Sequence, residues 1–366
     1  MSRIRFEAIT KTYRGKHALD GVDLEIEPGS LTVLCGPPLS GKSVLLRLLV
    51  GLEQPSAGRI LFDGQDITDL PAATRTIGYV PQSFALFPHM SVFDNIAYPL
   101  TLQGVAREEI RARVDQAAGI LRIRPLLDKK PSQLSGGEKQ RTAIARGILK
   151  NADIFILDDP LVGLDFKLRE SLMEELKDMR AQLDATFLYA TSDSLEALNM
   201  AEYLAVLDHG RLVEANRVTD LYHEPTHLRA AELVGFPRCN VIAGRMENGT
   251  VCRTALLGFH VATNGPPAER VAVVARPEHI SYVPNGAPAG AATGDGRIRL
   301  MENLGAECVV YFDAGGETLV TTAPSPAVAH LDIGGRFPYA IRPEALLVFD
   351  QASGARIGRG GALAHA

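Results

Sequence analysis

Gly36-Pro37-Pro38-Leu39-Ser40-Gly41-Lys42-Ser43 matches the phosphate-binding pattern in which GxxxxGK is followed by Ser or Thr. The apolar run Leu31–Cys35 before it predicts a buried strand, and residues 44–49 after it predict a helix. In such a loop, glycines let backbone N–H groups surround phosphate oxygens, and the helix N-terminus adds partial positive charge. The sequence therefore predicts a nucleotide site in which Lys42 contacts the β- and γ-phosphates and the Ser43 hydroxyl binds Mg²⁺.

A second chemical motif is the apolar run Ile154-Phe155-Ile156-Leu157, which is followed directly by Asp158 and Asp159. A strand that ends in a carboxylate can hold Mg²⁺ from across the nucleotide, which makes Asp158 the candidate metal ligand. The next carboxylate, Asp159, is the candidate general base toward the attacking water. For this segment alone, a strand that simply runs into an acidic turn is the alternative interpretation.

The third motif reads Leu134-Ser135-Gly136-Gly137-Glu138-Lys139-Gln140-Arg141 and opens a helix that is predicted over residues 142–149. Its serine and glycines offer hydroxyl and backbone donors at a helix N-terminus, which predicts a second anion site. One nucleotide does not need two such anion sites from the same chain. When two chains pack head to tail, the second anion site of each chain can contact the nucleotide of the other. The sequence therefore predicts a dimer in which this motif acts on the partner's nucleotide.

Composition and charge exclude several classes of protein. Hydrophobic residues make up 46% and charged residues 22%, so the chain can bury a sizeable core, and the net charge of −5 gives no reason to expect a nucleic-acid partner. The four cysteines form no CxxC pair, which argues against a disulfide framework or a zinc site. No apolar run approaches 18 residues and no signal peptide is evident. We expect a cytosolic protein.

Turn-forming residues become dense after residue 235. Residues 236–366 contain 17 of the 34 glycines and 10 of the 22 prolines, set between short apolar runs. This pattern predicts a small β-rich domain in 236–366 after an α/β domain in 1–235. The tripeptide Arg-Pro-Glu occurs twice, at 276–278 and 342–344, as a faint internal repeat. The Gly- and Ala-rich tail after Gly354 predicts a frayed terminus.

The order of these motifs, together with Gln82 and Leu164-Asp165, resembles the nucleotide-binding subunit of ATP-binding cassette (ABC) transporters over residues 1 to about 235. The segments 87–96 and 160–169 are similar to the ATPases of carbohydrate importers. The resemblance implies a P-loop ABC ATPase domain, with a mixed-sheet core and a helical subdomain at about 83–150. A small OB-like, TOBE-type regulatory domain is then expected in 236–366.

The resemblance also implies roles, cofactors and partners. Tyr13 would stack on the adenine of ATP, Gln82 would sense the γ-phosphate and Mg²⁺, and Ser192 occupies the switch position of the family. A second ATPase subunit, two transmembrane permease subunits and an extracytoplasmic solute-binding protein are the implied partners, at the cytoplasmic face of the plasma membrane. The candidate ATP-binding residues are Tyr13, Gly36, Pro37, Pro38, Leu39, Ser40, Gly41, Lys42, Ser43, Val44, Ser135, Gly136, Gly137, Glu138 and Asp165. The candidate metal ligands are Ser43, Gln82 and Asp158, and the candidate catalytic residues are Asp159, Ser192 and Gln82.

Four positions depart from the family's pattern around one nucleotide. Asp159 stands where the family has Glu, which shortens the side chain by one methylene, about 1.5 Å. Ser192 replaces the switch histidine, Val44 replaces a hydroxyl residue after the loop, and Val162 replaces a serine of the loop that contacts the other subunit. These changes leave the binding groups intact and weaken hydrolysis. We therefore expect the chain to be the weaker half of a heterodimeric ATPase pair.

Other functions remain open at this stage. A fully active homodimer that has drifted neutrally, and a nucleotide-binding scaffold without hydrolysis, both fit the same motifs. A soluble ABC protein of translation or DNA repair would need two cassettes in one chain, a basic arm or a long coiled-coil insertion, and the sequence contains none. The expected cargo is a sugar, a polyol such as glycerol, or a similar neutral solute.

Overall fold

The structure is a computed structural model that describes residues 3–150, 152–182, 185–265 and 268–364. The chain forms two compact units, Met1–Val218 and Thr219–Ala366. Composition alone had suggested a boundary at residue 235. The segment between the two boundaries belongs with the second unit because the guanidinium of Arg276 donates to the carbonyl oxygens of Tyr222, Ala231 and Val234.

The first unit is built from strands and helices that alternate along most of its length. Its strands are β1 (Ile4–Tyr13), β2 (Lys16–Ile26), β3 (Leu31–Cys35), β4 (Ala57–Phe62), β5 (Gln65–Asp66), β6 (Ile77–Val80), β7 (Ile154–Asp158), β8 (Thr186–Thr191), β9 (Tyr203–Asp208) and β10 (Arg211–Arg217). Its helices are α1 (Lys42–Val50), α2 (Val92–Leu102), α3 (Arg107–Ile120), α4 (Gly136–Ile148), α5 (Phe166–Gln182) and α6 (Ser194–Met200). The mixed α/β class predicted for this region is confirmed.

The larger sheet of the first unit has the strand order β10-β9-β3-β8-β7-β6. Strand β3 pairs in parallel with β8 and β9, and β7 pairs in parallel with β6 and β8. Every residue of β3, β7 and β8 is buried, as expected for parallel strands that are covered on both faces. Because parallel strands end at the same edge, the residues that follow β3, β6, β7 and β8 are brought together there.

The segment expected as a helical subdomain contains α2, α3 and α4. The third motif opens α4, as predicted, but the helix begins at Gly136 and not at the predicted residue 142. The reason is a capping box: the Ser135 side chain accepts from the backbone N–H of Glu138, and the Glu138 carboxylate accepts from the N–H of Ser135 over 2.7 Å. Among the described residues no helix is long and apolar enough to cross a membrane.

The second unit is β-rich, as predicted. Its elements are the helices α7 (Val218–His223), α8 (Leu228–Leu233) and α9 (Ser325–Val328), and the strands β11 (Asn240–Glu247), β12 (Val251–Thr254), β13 (Gly258–Thr263), β14 (Arg270–Ala275), β15 (Ile280–Tyr282), β16 (Ala292–Asn303), β17 (Glu307–Ala314), β18 (Glu317–Pro324), β19 (Arg336–Ile341), β20 (Leu347–Asp350) and β21 (Arg356–Leu363). A closed barrel has the order β11-β12-β13-β21-β20-β14, and a sheet has the order β15-β19-β16-β17-β18. This is the OB-like class that was expected.

The expectation of a frayed tail after Gly354 is wrong. Strand β21 pairs with both β13 and β20 and closes the barrel. Its glycines are needed where backbones approach closely: a Cβ on Gly358 would lie 2.3 Å from the carbonyl oxygen of Ala262. A Cβ on Gly360 would lie 2.0 Å from that of Pro343. Glycine here permits tight packing of strands instead of disorder.

Candidate functional site

A cavity of about 660 Å³ lies at the edge of the large sheet where its parallel strands end. It brings together residues from the loops that follow β3, β6, β7 and β8, although these loops are far apart in sequence. The lining residues are Tyr13, Ala18, Pro38, Leu39, Ser40, Gly41, Lys42, Ser43, Val44, Arg47, Gln82, Asp159, Val162 and Ser192. Most of the side chains singled out from the sequence therefore share one space.

The loop that follows β3 needs its glycines for steric reasons. A Cβ on Gly36 would lie 2.0 Å from the carbonyl oxygen of Leu207, so only glycine fits against β9. Gly41 has a φ of 104°, which an L side chain rarely adopts, and it marks the start of α1. Leu39 also has a positive φ, of 68°, and its side chain is fully exposed at the mouth of the cavity.

Lys42 supplies the buried positive charge of the cavity. Its ammonium donates to the carbonyl oxygens of Gly36 over 2.7 Å and of Pro37 over 3.1 Å. Burial lowers the pKa of Lys42, and the carboxylates of Asp159 and Asp158 oppose this shift. A desolvated cation next to backbone donors of a helix N-terminus is well suited to bind phosphate.

A pair of hard oxygen ligands lies beside this lysine. The Ser43 hydroxyl donates to Oδ1 of Asp158 over 2.8 Å, which joins the start of α1 to the end of β7. The hydroxyl of Tyr79 donates to Oδ2 of the same carboxylate over 3.3 Å. Asp158 is only 3% exposed, and each of its two carboxylate oxygens accepts one of these hydrogen bonds. Tyr79 was not singled out from the sequence, and no local pattern marks it.

Asp159 and Ser192 meet at the far side of the cavity. Burial raises the pKa of the Asp159 carboxyl group, and Lys42 and the backbone of Ser192 oppose this shift. The backbone of Asp159 has a φ of 46°, an uncommon conformation for a residue other than glycine. The exposed side chains of Ser192 and Gln82 also line the cavity.

Tyr13 is held in place by two residues that sequence reasoning missed. Its hydroxyl donates to the carboxylate of Glu53, and Arg47 donates to the other oxygen of Glu53 over 2.7 Å. The ammonium of Lys11 lies 5.1 Å from the centre of the tyrosine ring. The tyrosine side chain is 39% exposed and lines the cavity. The site therefore presents an anchored aromatic ring beside the phosphate-binding loop.

The residues of the third motif do not line this cavity. Ser135, Gly136, Gly137 and Glu138 form the N-terminus of α4, and a Cβ on Gly136 would meet no atom within 4 Å. Asp165 also lies outside the cavity, where its carboxylate accepts from the backbone N–H of Leu168 over 3.0 Å and caps α5. These residues cannot complete the site of their own chain in this arrangement.

The donor set fits Mg²⁺ held together with a nucleotide. Among the described residues no group of three or more His, Cys, Asp or Glu side chains could hold a metal ion. Mg²⁺ commonly uses one or two protein oxygens together with substrate phosphates and water. The Ser43 hydroxyl and the Asp158 carboxylate are such oxygens, and they lie at the phosphate-binding loop.

Two family models match the chain. The ABC transporter model matches residues 19–162, and the TOBE domain model matches residues 273–349. The first match spans the phosphate-binding loop, the third motif and the two acids Asp158 and Asp159 at the end of β7. The second covers β14 to β20 of the β-rich unit, in agreement with the OB-like class.

Several curated proteins are similar over nearly the whole chain. The sn-glycerol-3-phosphate import ATP-binding protein UgpC of Cupriavidus pinatubonensis is 38% identical, and the alignment covers 98% of this chain and 100% of that protein. The diacetylchitobiose uptake system ATP-binding protein MsiK of Streptomyces coelicolor is 36% identical, with the same coverage of 98% and 100%.

Solved structures resemble the chain over its ATPase part. The ATP-binding cassette MJ0796, dimeric and bound to ADP and Pi, has a TM-score of 0.55 and 30% identity over 59% of this chain and 98% of that chain. The cbiO1 protein of Clostridium perfringens has a TM-score of 0.56 and 31% identity, over 63% of this chain and 94% of that chain. The nucleotide of this family is ATP, and Mg²⁺ is its partner cation. The chain belongs to the ATP-binding proteins of ABC transporters, and it is an ABC-type ATPase with a C-terminal TOBE domain.

Proposed function

We propose that this chain is the ATP-hydrolysing subunit of a membrane importer for a small solute, and that its own ATP site turns over slowly. The observation that carries the proposal is the convergence of Lys42, Ser43, Asp159 and Ser192 on one cavity. The phosphate-binding groups are complete, whereas the two residues nearest the expected water-activating position have short side chains. The site is therefore equipped better for holding ATP than for cleaving it.

Each binding residue has a task in this proposal. Backbone N–H groups of the loop 36–43 and the Lys42 ammonium bind the phosphates, and Tyr13 stacks on the adenine. Ser43 and Asp158 hold Mg²⁺, which neutralises phosphate charge when it is bound. Gln82, which lines the same cavity, contacts the γ-phosphate and the metal.

The slow step follows from the reach of Asp159. Its short side chain lines the cavity together with Ser192, at the end of β7. A glutamate would extend about 1.5 Å further toward an attacking water. Ser192 is too short to contact the γ-phosphate from its place. A general base contributes about 10²–10⁴-fold to a hydrolysis rate, so a base set back from the water loses part of that factor.

The position of the third motif supports a head-to-tail dimer. Ser135, Gly136, Gly137 and Glu138 lie outside the cavity of their own chain, on an open helix end. In the proposed dimer they and Asp165 contribute to the nucleotide site of the other subunit. We propose that this second subunit is a non-identical paralogue with a complete base, so that one site holds ATP and the other carries the cycle.

The names of the relatives support a carbohydrate-related cargo. They describe uptake of sn-glycerol 3-phosphate and of diacetylchitobiose. We propose a sugar, a polyol or a glycerol derivative as the solute, two transmembrane permease subunits as the docking partners, and an extracytoplasmic solute-binding protein as the selector. The chain would then sit at the cytoplasmic face of the membrane through the permease subunits.

Single-turnover ATP decay tests the hydrolytic part of the proposal. The isolated full chain is mixed in excess over radiolabelled ATP with Mg²⁺, and the Lys42→Ala variant is the matched control. Slow phosphate release that disappears in the control supports the proposal. Tight ATP binding with no release would identify a scaffold instead, and release at a rate unaffected by Asp159→Asn would refute the assigned base.

Uptake assays test the importer. Cells that lack the gene are complemented with the wild-type chain or the Lys42→Ala variant and supplied with radiolabelled sn-glycerol 3-phosphate or a disaccharide. Uptake that depends on Lys42 for one of these solutes supports the proposal. Equal uptake of both solutes in deleted and complemented cells would overturn the assigned cargo class.

A further inference from the structure

The two Arg-Pro-Glu repeats of the sequence meet at one cavity in the second unit. Each repeat begins where a strand ends, β14 or β19, and each opens a short 3₁₀ turn, Pro277–His279 or Pro343–Ala345. Residues of both repeats line a space of about 380 Å³. This cavity shares no residue with the ATP site, and nothing in the ATPase chemistry uses it.

Arg276 of the first repeat brings a buried positive charge to this cavity. The residue is only 3% exposed, and its guanidinium carbon lies 4.1 Å from the centre of the Tyr222 ring. Its Nη atoms donate to the backbone carbonyls of Tyr222, Ala231 and Val234. Among the described residues its hydrogen bonds go only to backbone carbonyls and to no carboxylate, and its buried Nε has no hydrogen-bond acceptor. A buried cation without an anion is costly, so a negative ligand would stabilise it.

Further unused donors line the same space. The exposed guanidinium of Arg342, in the second repeat, makes no hydrogen bond or ion pair with the residues that the structure describes. The Nδ1 atom of His279 is buried and has no partner among them either. Burial lowers the pKa of His279, and the charges of Arg276 and Arg359 lower it further against an opposing effect of Glu278.

The charges around the cavity do not cancel. Arg276, Arg342 and Arg359 line it together with only two carboxylates, those of Glu224 and Glu344. Glu224 is already shared, because it forms ion pairs with both Arg356, over 2.6 Å, and Arg359. The hydroxyl of Tyr222 donates to a third carboxylate beside the cavity, that of Glu278, over 2.9 Å. With Arg356 included, four arginines stand against three carboxylates, so an excess of positive charge remains.

We infer that this cavity binds the phosphate group of a small metabolite, with Arg276, Arg342 and His279 as donors. A phosphate accepts hydrogen bonds on several oxygens and pairs with the fork of an arginine, whereas a carboxylate offers two oxygens and one charge. The volume is at the lower end of the range for ligand pockets, which suits inorganic phosphate or a phosphate monoester of a few carbons. Tyr222 and Leu347 provide apolar wall for the carbon part.

Calorimetric titration of the full chain tests this site. The ATP cavity is first filled with Mg²⁺ and a non-hydrolysable ATP analogue, so that its loop cannot bind the probe. Inorganic phosphate and sn-glycerol 3-phosphate are then titrated separately, with glycerol as the uncharged comparison. We expect saturable binding of at least one phosphate probe and none of glycerol. Tighter binding of sn-glycerol 3-phosphate than of inorganic phosphate would show that the carbon part contributes to affinity.

Two variants make the test specific. Arg342→Gln removes a donor that has no structural contact, and it should weaken phosphate binding about tenfold, as expected for a charge-assisted hydrogen bond. Arg245→Gln removes an exposed arginine that does not line the cavity, and it should leave binding unchanged. Absence of saturable binding by both phosphate probes would overturn the inference, as would equal affinity in wild type and Arg342→Gln. Neither result depends on ATP hydrolysis, so the phosphate site can fail this test without affecting the proposed function.

Discussion

The Ser43 hydroxyl donates to Oδ1 of Asp158 over 2.8 Å, and this contact joins two segments of sequence that are more than a hundred residues apart. The contact places the two expected protein ligands of Mg²⁺ side by side within the chain itself. The other oxygen of the carboxylate accepts from Tyr79 over 3.3 Å. The carboxylate proposed to bind Mg²⁺ is therefore oriented from both sides, by α1 and by β6.

Replacement of Tyr79 by Phe tests whether this tyrosine positions Asp158. The ring stays and the donor is lost, so Asp158 gains rotational freedom. We expect the Mg²⁺ concentration for half-maximal ATPase activity to rise about fivefold, in line with one lost hydrogen bond. ATP binding measured without Mg²⁺ should not change. A lower maximal rate with an unaltered Mg²⁺ requirement would contradict the positioning role.

Local chemistry explains which parts of the site could be predicted from the sequence. The loop 36–43 and strand β3 are set by short-range sterics and polarity, and both were predicted correctly. The capping box of Ser135 and Glu138 is a local pattern too, and it contains enough information to place the start of α4 at Gly136. The contact between Tyr79 and Asp158 depends on the pairing of β6 with β7, which no local pattern specifies.

The C-terminal strand shows a second limit of sequence reasoning. Glycine-rich composition predicts disorder when its backbone freedom is considered alone. In β21 the same residue type occurs because neighbouring backbones leave no room for a Cβ. Composition cannot distinguish these two uses of glycine, since the difference lies in what packs against the strand.

Replacement of Gly360 by Ala tests the close packing of β21. The new methyl group would lie 2.0 Å from the carbonyl oxygen of Pro343, so the barrel must shift to accept it. We expect the free energy of unfolding to fall by about 1–3 kcal/mol, as for overpacked cores. Gly361→Ala is the matched control, because its Cβ would meet only His260 at 3.5 Å. Thermal melting of both variants measures the difference; equal midpoints would disprove the packing argument.

Glu196 should make the stability of the first unit depend on pH. Burial raises the pKa of Glu196 to about 7, and Asp193 contributes in the same direction, while Tyr189, Arg169 and Thr191 oppose it. Because the folded-state pKa exceeds the unfolded one, this group stabilises the fold at low pH, and the contribution is lost as pH rises through about 7.

The Glu196→Gln variant tests this dependence, because a neutral amide cannot titrate. Urea unfolding of wild type and variant is compared at pH 5 and pH 8. At each pH the free energy of unfolding of wild type is subtracted from that of the variant. We expect this difference to be more favourable to the variant at pH 8 than at pH 5. An identical difference between the two proteins at both pH values would show that Glu196 keeps its ordinary pKa.

Replacement of Asp159 by Glu tests whether reach limits hydrolysis. The additional methylene moves the carboxylate about 1.5 Å outward. We expect single-turnover hydrolysis to accelerate at least tenfold, since a correctly placed general base contributes about 10²–10⁴-fold. The raised pKa of Asp159 also predicts that the acidic limb of the rate profile of the wild-type chain lies above the ordinary range of an aspartate. An unchanged turnover rate in Asp159→Glu would show that the reach of this carboxylate does not limit hydrolysis. Ser192→His would then be the next variant to measure.

The asymmetry of the proposed pair is tested by two further variants in the assembled transporter. Gly136→Asp introduces a negative side chain into open space at the start of α4, where aspartate is compatible with the helix. It should therefore disturb only the phosphate that this helix end contacts in the other subunit. Gly137 is a poorer choice, because a Cβ there would lie 2.4 Å from Leu168 of the same chain. Gly136→Ala is the matched control.

We expect Gly136→Asp to reduce the ATPase rate of the complex about a hundredfold, because it places a carboxylate against the γ-phosphate in the working site. Gly136→Ala should retain most of the rate. Asp159→Asn should cost less than about threefold, because the site it serves contributes little to the cycle. If Asp159→Asn is as damaging as Gly136→Asp, the chain's own site carries the cycle as well. The ATPase pair would then be equal, as in an active homodimer.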